Sequence, residues 1–328
     1  MRAKIILYFL TGILVFSNPL NAQDNPAELR NTQMDKQKEN FLNDSSILKK
    51  DTVKKTIPAV SADSNAPTPS HLELNVVYES NDVNNGRKDS TVIPLITPKI
   101  SYIFKSGFEI DLDVGYNVHD PSPQVNQYTL DGSYTFNPGN YSGTATLSFF
   151  WYNNDSRSTT AEQKGSLEYS NSYTLPFIQP SLSFTWTWGS TVPDYQLSPA
   201  LQQQFNFGNN WNVTPTLTMN AATQNSYNAY YQNRKFKFPG DGQNANINLS
   251  AEVLNSDKFQ VLDWEWSAPV NFSAGNWTFN FTPTYAMPVN PADVKATLKV
   301  NNIAKSYTYK EKLPNTFYVQ VGVTYDFL

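Results

Sequence analysis

Glu109, Asp111 and Asp113 occupy alternate positions in the run Phe108–His119, interleaved with Phe108, Ile110, Leu112, Val114, Tyr116 and Val118. Alternate residues of a strand project from one face, so the three carboxylates lie side by side and repel one another. Such a face needs water, a counter-ion or a base that reaches across to it, and Lys99 on the preceding strand is the nearest candidate. A watered surface of this sign favours cations over anions. The polar sides of the other alternating runs carry Glu73, Asp131, Glu168, Glu252, Asp263, Glu265 and Asp326, against Lys99 and Lys164 as the only bases. Residues 71–328 hold 21 acids and 15 Lys or Arg, net −6, so the acidic bias is sharper on these faces than over the segment.

Other chemistry is poorly provided for. The chain has no cysteine, which excludes disulfides and thiolate-held metals, and its histidines are His71 and His119, at the start and end of strands. A histidine-dependent triad or metal cluster would have to rest on one of these, and a strand-end histidine is ordinarily solvated. Asp82, Asn84, Asn85, Gly86 and Asp89 offer oxygen ligands, but the glycine is at the fifth position and no glutamate stands at the twelfth, so an Asn-Gly hairpin loop fits better than a calcium loop. No catalytic, cofactor-binding or metal-binding residue is assigned. With a net charge of −4, no nucleic-acid partner is expected either.

The carboxylate faces need strands to present them. Tyr141, Ala145, Leu147, Phe149 and Trp151 alternate with Ser142, Thr144, Thr146 and Ser148. Leu182, Phe184, Trp186 and Trp188 alternate with Ser183, Thr185 and Thr187, and Trp277, Phe279 and Phe281 with Thr278, Asn280 and Thr282. A mean hydropathy of −0.48 is no guide here, because a membrane barrel alternates lipid-facing apolar and lumen-facing polar residues and averages them away. A soluble sandwich also alternates. It needs no aromatic edge at every second turn, whereas Phe104, Phe136, Phe207, Phe238 and Phe272 each precede a short Gly-containing turn, at intervals of 31 to 34 residues except between Phe136 and Phe207, where one more turn without glycine fits near Leu175–Ile178. Each interval holds two strands of about 9–11 residues, the length that crosses a membrane.

Strands are expected near 71–80, 92–104, 108–119, 126–136, 141–152, 164–174, 179–189, 196–207, 211–222, 227–238, 243–254, 259–272, 277–287 and 316–327. That makes an all-β, antiparallel, up-and-down transmembrane β-barrel of fourteen strands, an even number as a closed single chain requires. Gln232 and Arg234 would share a lipid face with Phe236 and Phe238. If that hairpin is instead an external loop, the count is twelve. Residues 288–315 form the longest connection, with Val294–Val300 and Ser306–Lys310 as a hairpin running beyond the membrane.

Arg2 and Lys4, the apolar run Ile5–Phe16 and the stretch ending Leu20-Asn21-Ala22 have the three-part form of a secretory signal, placing a signal peptide at 1–22. Residues 23–70 are polar, aperiodic and balanced at seven acids and seven bases, a composition that reads as a disordered periplasmic segment.

The last run, Phe317–Leu328, alternates without a break, Phe317, Val319, Val321, Val323, Tyr325 and Phe327 on one side and Tyr318, Gln320, Gly322, Thr324 and Asp326 on the other. Its ending, Tyr325, Phe327 and Leu328, resembles the C-terminal insertion signal of bacterial outer-membrane β-barrel proteins, although there the final residue is usually Phe and here Phe is penultimate. By pattern the resemblance covers 71–328 and is to the porin-like class. The hairpin YESNDVNNGRKDS resembles a group of uncharacterised porin-like proteins. The resemblance implies a place in the outer membrane with both barrel ends periplasmic, lipid as surroundings, and the barrel-insertion machinery as a partner in biogenesis. Fourteen strands suggest a partial or loop-constricted lumen, and a passive or weakly selective pore for small hydrophilic, cationic or neutral solutes is the leading expectation. A non-conducting barrel for surface attachment, with 288–315 or 23–70 as contact element, and a plugged transporter of hydrophobic compounds are the alternatives.

Overall fold

The alternating runs become strands with their apolar side facing outward, as a computed structural model of the chain shows. It describes residues 69–327 apart from 90–91, 119–123, 190–191, 236–246 and 301–302. The expected signal peptide, the 23–70 segment up to residue 68, His119 and Leu328 lie outside the described residues.

Nine connected strands come first: β1 His71–Glu79, β2 Leu95–Ile103, β3 Phe108–Asn117, β4 Gln124–Phe136, β5 Tyr141–Tyr152, β6 Gln163–Tyr173, β7 Gln179–Gly189, β8 Asp194–Gln202 and β9 Phe205–Phe207. They are followed by β10 Trp211–Val213, β11 Thr216–Ala222, a short helix α1 Asn225–Tyr230 leading into a π-turn Tyr231–Lys235, and β12 Ile247–Val253. The chain then forms β13 Gln260–Ser267, β14 Val270–Ala274, β15 Trp277–Pro288, β16 Asp293–Val300, β17 Ile303–Lys310 and β18 Thr316–Phe327.

Antiparallel pairing runs from β1 through β8 to β11, β13, β15 and β18, and β18 returns to β1, closing a ring of twelve strands. The pieces β8 and β9, β10 and β11, and β13 and β14 keep one register across each interruption, so each pair is a single crossing. The interruptions follow a row of prolines. Pro215, Pro269 and Pro283 lack an N–H, but their carbonyls still accept from Gln203 (3.2 Å), Thr214 (2.9 Å) and Ala268 (3.2 Å) on the neighbouring strands.

The barrel class expected from sequence is therefore present, with twelve strands in the ring rather than the fourteen favoured. The difference lies in 227–254. Tyr227, Tyr230 and Tyr231 have i, i+3, i+4 spacing, which gathers three buried rings on one side of a helix. Arg234 does not face lipid; it donates to Glu162 Oε1 at 2.6 Å and to the carbonyls of Asn153, Asn154, Ser156 and Ala161, clamping the β5–β6 loop. Strand β12 does form, but in a separate three-stranded sheet with β16 and β17, outside the ring. The hairpin expected within 288–315 is β16 paired to β17.

Burial is inverted relative to a water-soluble sandwich. On β3, Phe108, Ile110, Leu112 and Tyr116 are 38–48% exposed, whereas Asp111 is 8% exposed. Around the ring the buried inward residues include Ser101, Thr129, Ser148, Ser166, Thr187 and Asp263, while exposed Leu, Val, Phe, Tyr and Trp coat the outside. Only an apolar surrounding makes that arrangement favourable, since exposed apolar area in water costs about 25 cal/mol per Å². One rim carries five short turns and the outer ends of β1 and β18. Rings meet along it: Tyr102 on Phe104 (4.7 Å between centroids), Trp211 on Phe272 (4.5 Å), and Trp277 on Tyr325 (4.6 Å), which in turn touches Phe327 (4.6 Å). Near the other rim Tyr128 and Trp151 are cross-strand partners, as are Trp186 and Tyr195, giving the second aromatic belt of a membrane barrel.

Candidate constriction in the lumen

The β1–β2 connection does not project away from the barrel. Asn84 and Arg87 exchange two backbone hydrogen bonds of 2.8 Å, and Asn85 (φ +49°) and Gly86 (φ +69°) fill the turn between them. Positive φ at both central residues is the I′ hairpin turn that Asn-Gly favours. The finger is stiffened at its base, where Asn81 Oδ1 accepts from the Ile93 N–H at 2.9 Å.

Its tip crosses the lumen. Asn85 Nδ2 donates to Gln196 Oε1 at 3.0 Å, and Gln196 is on β8, six places round the ring from β2. Gly86 packs against β13 and β15: a Cβ there would lie 3.0 Å from the Cβ of Asp263 and 3.1 Å from that of Pro288. Only glycine suits both the backbone conformation and the close approach.

Arg87 anchors the finger and is 2% exposed. Its guanidinium lies 5.2 Å from the centre of the Tyr227 ring, its Nε is 3.8 Å from Glu311 Oε2, and its terminal nitrogens donate to the carbonyls of Asn85 (3.4 Å) and Asn290 (3.5 Å). Glu311 also accepts from the hydroxyls of Tyr227 and Tyr231, the latter at 2.9 Å. Burial and the Glu311 carboxylate push both tyrosine hydroxyls well above their ordinary range, so they stay protonated and remain donors.

Helix α1 is held in place from the barrel wall. Asp194 of β8 accepts from the backbone N–H groups of Asn225 (2.6 Å) and Ser226 (2.7 Å) and from Thr223 Oγ1 (2.7 Å), satisfying donors that the first turn leaves free. On its other side, Tyr227, Tyr230 and Tyr231 form a buried cluster with Ala251, Val253, Ala292 and Val294. Finger, helix and three-stranded sheet thus build a cap at the long-loop rim. Between the finger, the helix and the wall strands β6 to β8, a cavity of about 240 Å³ is lined mainly by hydroxyl and amide side chains, with Glu168, Asp194 and Arg87 as its charged groups.

Half of the acids singled out in the sequence gather on one sector of the wall, β1 to β4. Lys99 Nζ is 3.4 Å from Asp111 Oδ2, the base expected to reach that face. Asp113 is the cross-strand partner of Lys99, Asp131 that of Asp111, and Glu109 and Glu73 flank them through Ile103 and Ser101. Glu168 on β6 accepts from Ser183 Oγ at 3.0 Å. Asp263 and Glu265 are on β13 below the finger, Asp263 with no exposed area. Asp326 lies at the short-turn rim beside His71.

Two residues are elsewhere than expected. Glu252 belongs to β12, outside the ring, and pairs with Lys295 at 2.9 Å. Lys164 is the unpaired residue of a bulge between Gln163 and Gly165 and is exposed, because the bulge breaks the alternation that would have turned it inward. The sequence reading missed Arg87, Asp194, Tyr227 and Glu311. Their contacts join segments far apart in the chain, and only the i, i+3, i+4 tyrosines left a local signal.

No protein-family model matches the chain, and no curated protein matches it in sequence. Among solved structures it is similar to a KdgM porin, at 10% identity and a TM-score of 0.42, over 78% of this chain and 99% of that one. It is also similar to a NanC porin, at 8% identity and a TM-score of 0.41, over 77% of this chain and 98% of that one. The COG4313 outer membrane channel from Pseudomonas putida F1 gives 12% identity and a TM-score of 0.43, over 79% of this chain and 96% of that one.

Proposed function

We propose that this chain is an outer-membrane channel for small hydrophilic solutes, cationic or neutral, whose bore is narrowed by the Asn84–Arg87 finger. The observation that supports it most is the closed ring with apolar residues outward and Ser, Thr, Asn, Asp and Glu inward, around a cavity of about 240 Å³. A polar lumen has a use only if water or a solute occupies it, and a ring without free edges is one of the two structures that can cross lipid. The short-turn rim, with Tyr325 and Phe327, is the periplasmic one in this reading, and the capped rim faces outward.

Cation preference follows from the sector of Glu73, Glu109, Asp111, Asp113 and Asp131 around a single Lys99. Planar-bilayer recording tests it. The wild type is expected to conduct with a cation-to-anion permeability ratio above one, and the pair Asp111→Lys with Asp113→Lys to lower that ratio. A correctly folded barrel that passes no current would refute the channel. An unchanged ratio would refute the role of this sector.

The cap favours a second reading, a non-conducting barrel used for attachment. Ile303 (68% exposed) and Tyr307 (71%) of β17 project from it as apolar groups. The same recordings separate the two, since only the channel conducts.

A further inference from the structure

His71 and Asp326 stand 255 residues apart in sequence and meet at the short-turn rim. Strands β1 and β18 pair there with Glu73 directly opposite Asp326, and His71 lies two residues before Glu73 on the same inward face. Its Nε2 is 3.6 Å from Glu73 Oε1 and 3.8 Å from Asp326 Oδ1, and its side chain is 9% exposed. Its Nδ1 is 3.0 Å from the Pro69 carbonyl oxygen. A carbonyl can only accept, so Nδ1 carries the proton and, in the neutral ring, Nε2 presents a lone pair to two carboxylate oxygens. Asp326 Oδ1 is itself buried without a hydrogen-bond partner.

Three acceptors converging on one point repel unless a proton or a metal ion lies between them. A proton on Nε2 would draw a carboxylate to about 2.7–2.9 Å. The observed separations are longer than a hydrogen bond, and they approach the edge of a ligand tetrahedron, about 3.3–3.6 Å for bonds of about 2.0–2.2 Å. One ligand oxygen from each acid and the imidazole nitrogen all lie within 4.8 Å of one another. The Nδ1–H to carbonyl contact is also the outer-shell bond that orients metal-bound histidines.

We propose that His71, Glu73 and Asp326 bind a divalent transition-metal ion of the zinc class, which staples the first barrel strand to the last. One nitrogen with two carboxylates suits a borderline ion better than calcium or magnesium, which prefer oxygen alone. Side-chain exposures of 29% for Glu73 and 28% for Asp326 leave water access to complete the coordination shell.

The test uses the full-length barrel, folded in detergent, stripped with EDTA and titrated with zinc chloride by calorimetry, with unfolding followed by heat-modified gel mobility. One zinc per barrel is expected. At a zinc concentration 100 times Kd the folded-to-unfolded ratio should rise about 100-fold. His71→Ala and Asp326→Asn should each abolish both effects, Asp326→Asn keeping the side-chain shape in case His71→Ala folds poorly, while His119→Ala should leave them intact. Calcium chloride should have neither effect. Absence of zinc binding to the folded barrel, binding undiminished in Asp326→Asn, or equal saturation by calcium would each overturn the proposal.

Discussion

Arg87→Ala should open the constriction, and the size of the effect follows from what Arg87 touches. Truncating one member of a buried ion pair costs about 3–5 kcal/mol, because the other charge is left buried. Here the pair with Glu311 is loose at 3.8 Å, Nε has no hydrogen-bond partner, and Glu311 keeps its two tyrosine donors, so the lower end, about 3 kcal/mol, applies. The loss falls on the docked finger, which keeps the hydrogen bonds of Asn85 to Gln196 and of Asp82 to Ser158. At 1.36 kcal/mol per decade, about 3 kcal/mol shifts the docked-to-undocked ratio by about 150-fold. A finger docked about 99 times in 100 would, after that shift, be undocked for about 60% of the time. Single-channel recording should then show a higher mean conductance with frequent transitions between two levels, and Arg87→Lys should fall between, since an ammonium retains the charge without the planar fork. A folded Arg87→Ala barrel with wild-type conductance and no added transitions would refute the docking role of Arg87.

Asp194→Ala removes three hydrogen bonds to one carboxylate and should destabilise α1 by about 2 kcal/mol or more, read as amide exchange at 225–231 about 30-fold faster or beyond, with the strands β3 to β6 unaffected. Asp82, in the β1–β2 loop, is buried, and loss of hydration raises its carboxyl above the ordinary range despite an opposing hydrogen bond from Ser158. The folded state therefore holds this proton more tightly than the unfolded chain, whose carboxyl ionises near pH 4. Its contribution to stability is complete below that pH and is lost as pH rises through the folded value. Asp82→Asn should flatten the pH dependence of the thermal midpoint above about pH 4, and a midpoint profile identical to wild type would count against the burial argument.

The wall was legible because period-2 alternation is a local property. Strand Phe108–His119 needed no partner to be recognised, and the reach of Lys99 to the β3 carboxylates followed from adjacency alone. The cap was not legible. Alternation makes residues 227–238 a strand, although Tyr227, Tyr230 and Tyr231 also satisfy helical spacing, and the choice is made by what they pack on, Val253 and Val294 from later in the chain. Glu252 alternates as well as Glu265 does, but β12 pairs with β16 instead of entering the ring. Alternation states that a strand has two faces; it does not state which sheet recruits it. The approach of His71 to Asp326 and of Arg87 to Glu311 depends on ring closure, which no window of sequence contains.

The prolines at 215, 269 and 283 give the barrel an uneven stiffness. Each removes one ladder donor at the same level of adjoining strands, leaving a single bond, of 2.9 to 3.2 Å, where an antiparallel pair ordinarily exchanges two. The line they draw is a crease, across which the panel from β8 to β15 bends more readily than one whose ladder is unbroken at that level. Bending across that crease would move the β8 to β15 wall, which stands across the lumen from the acidic sector on β1 to β4.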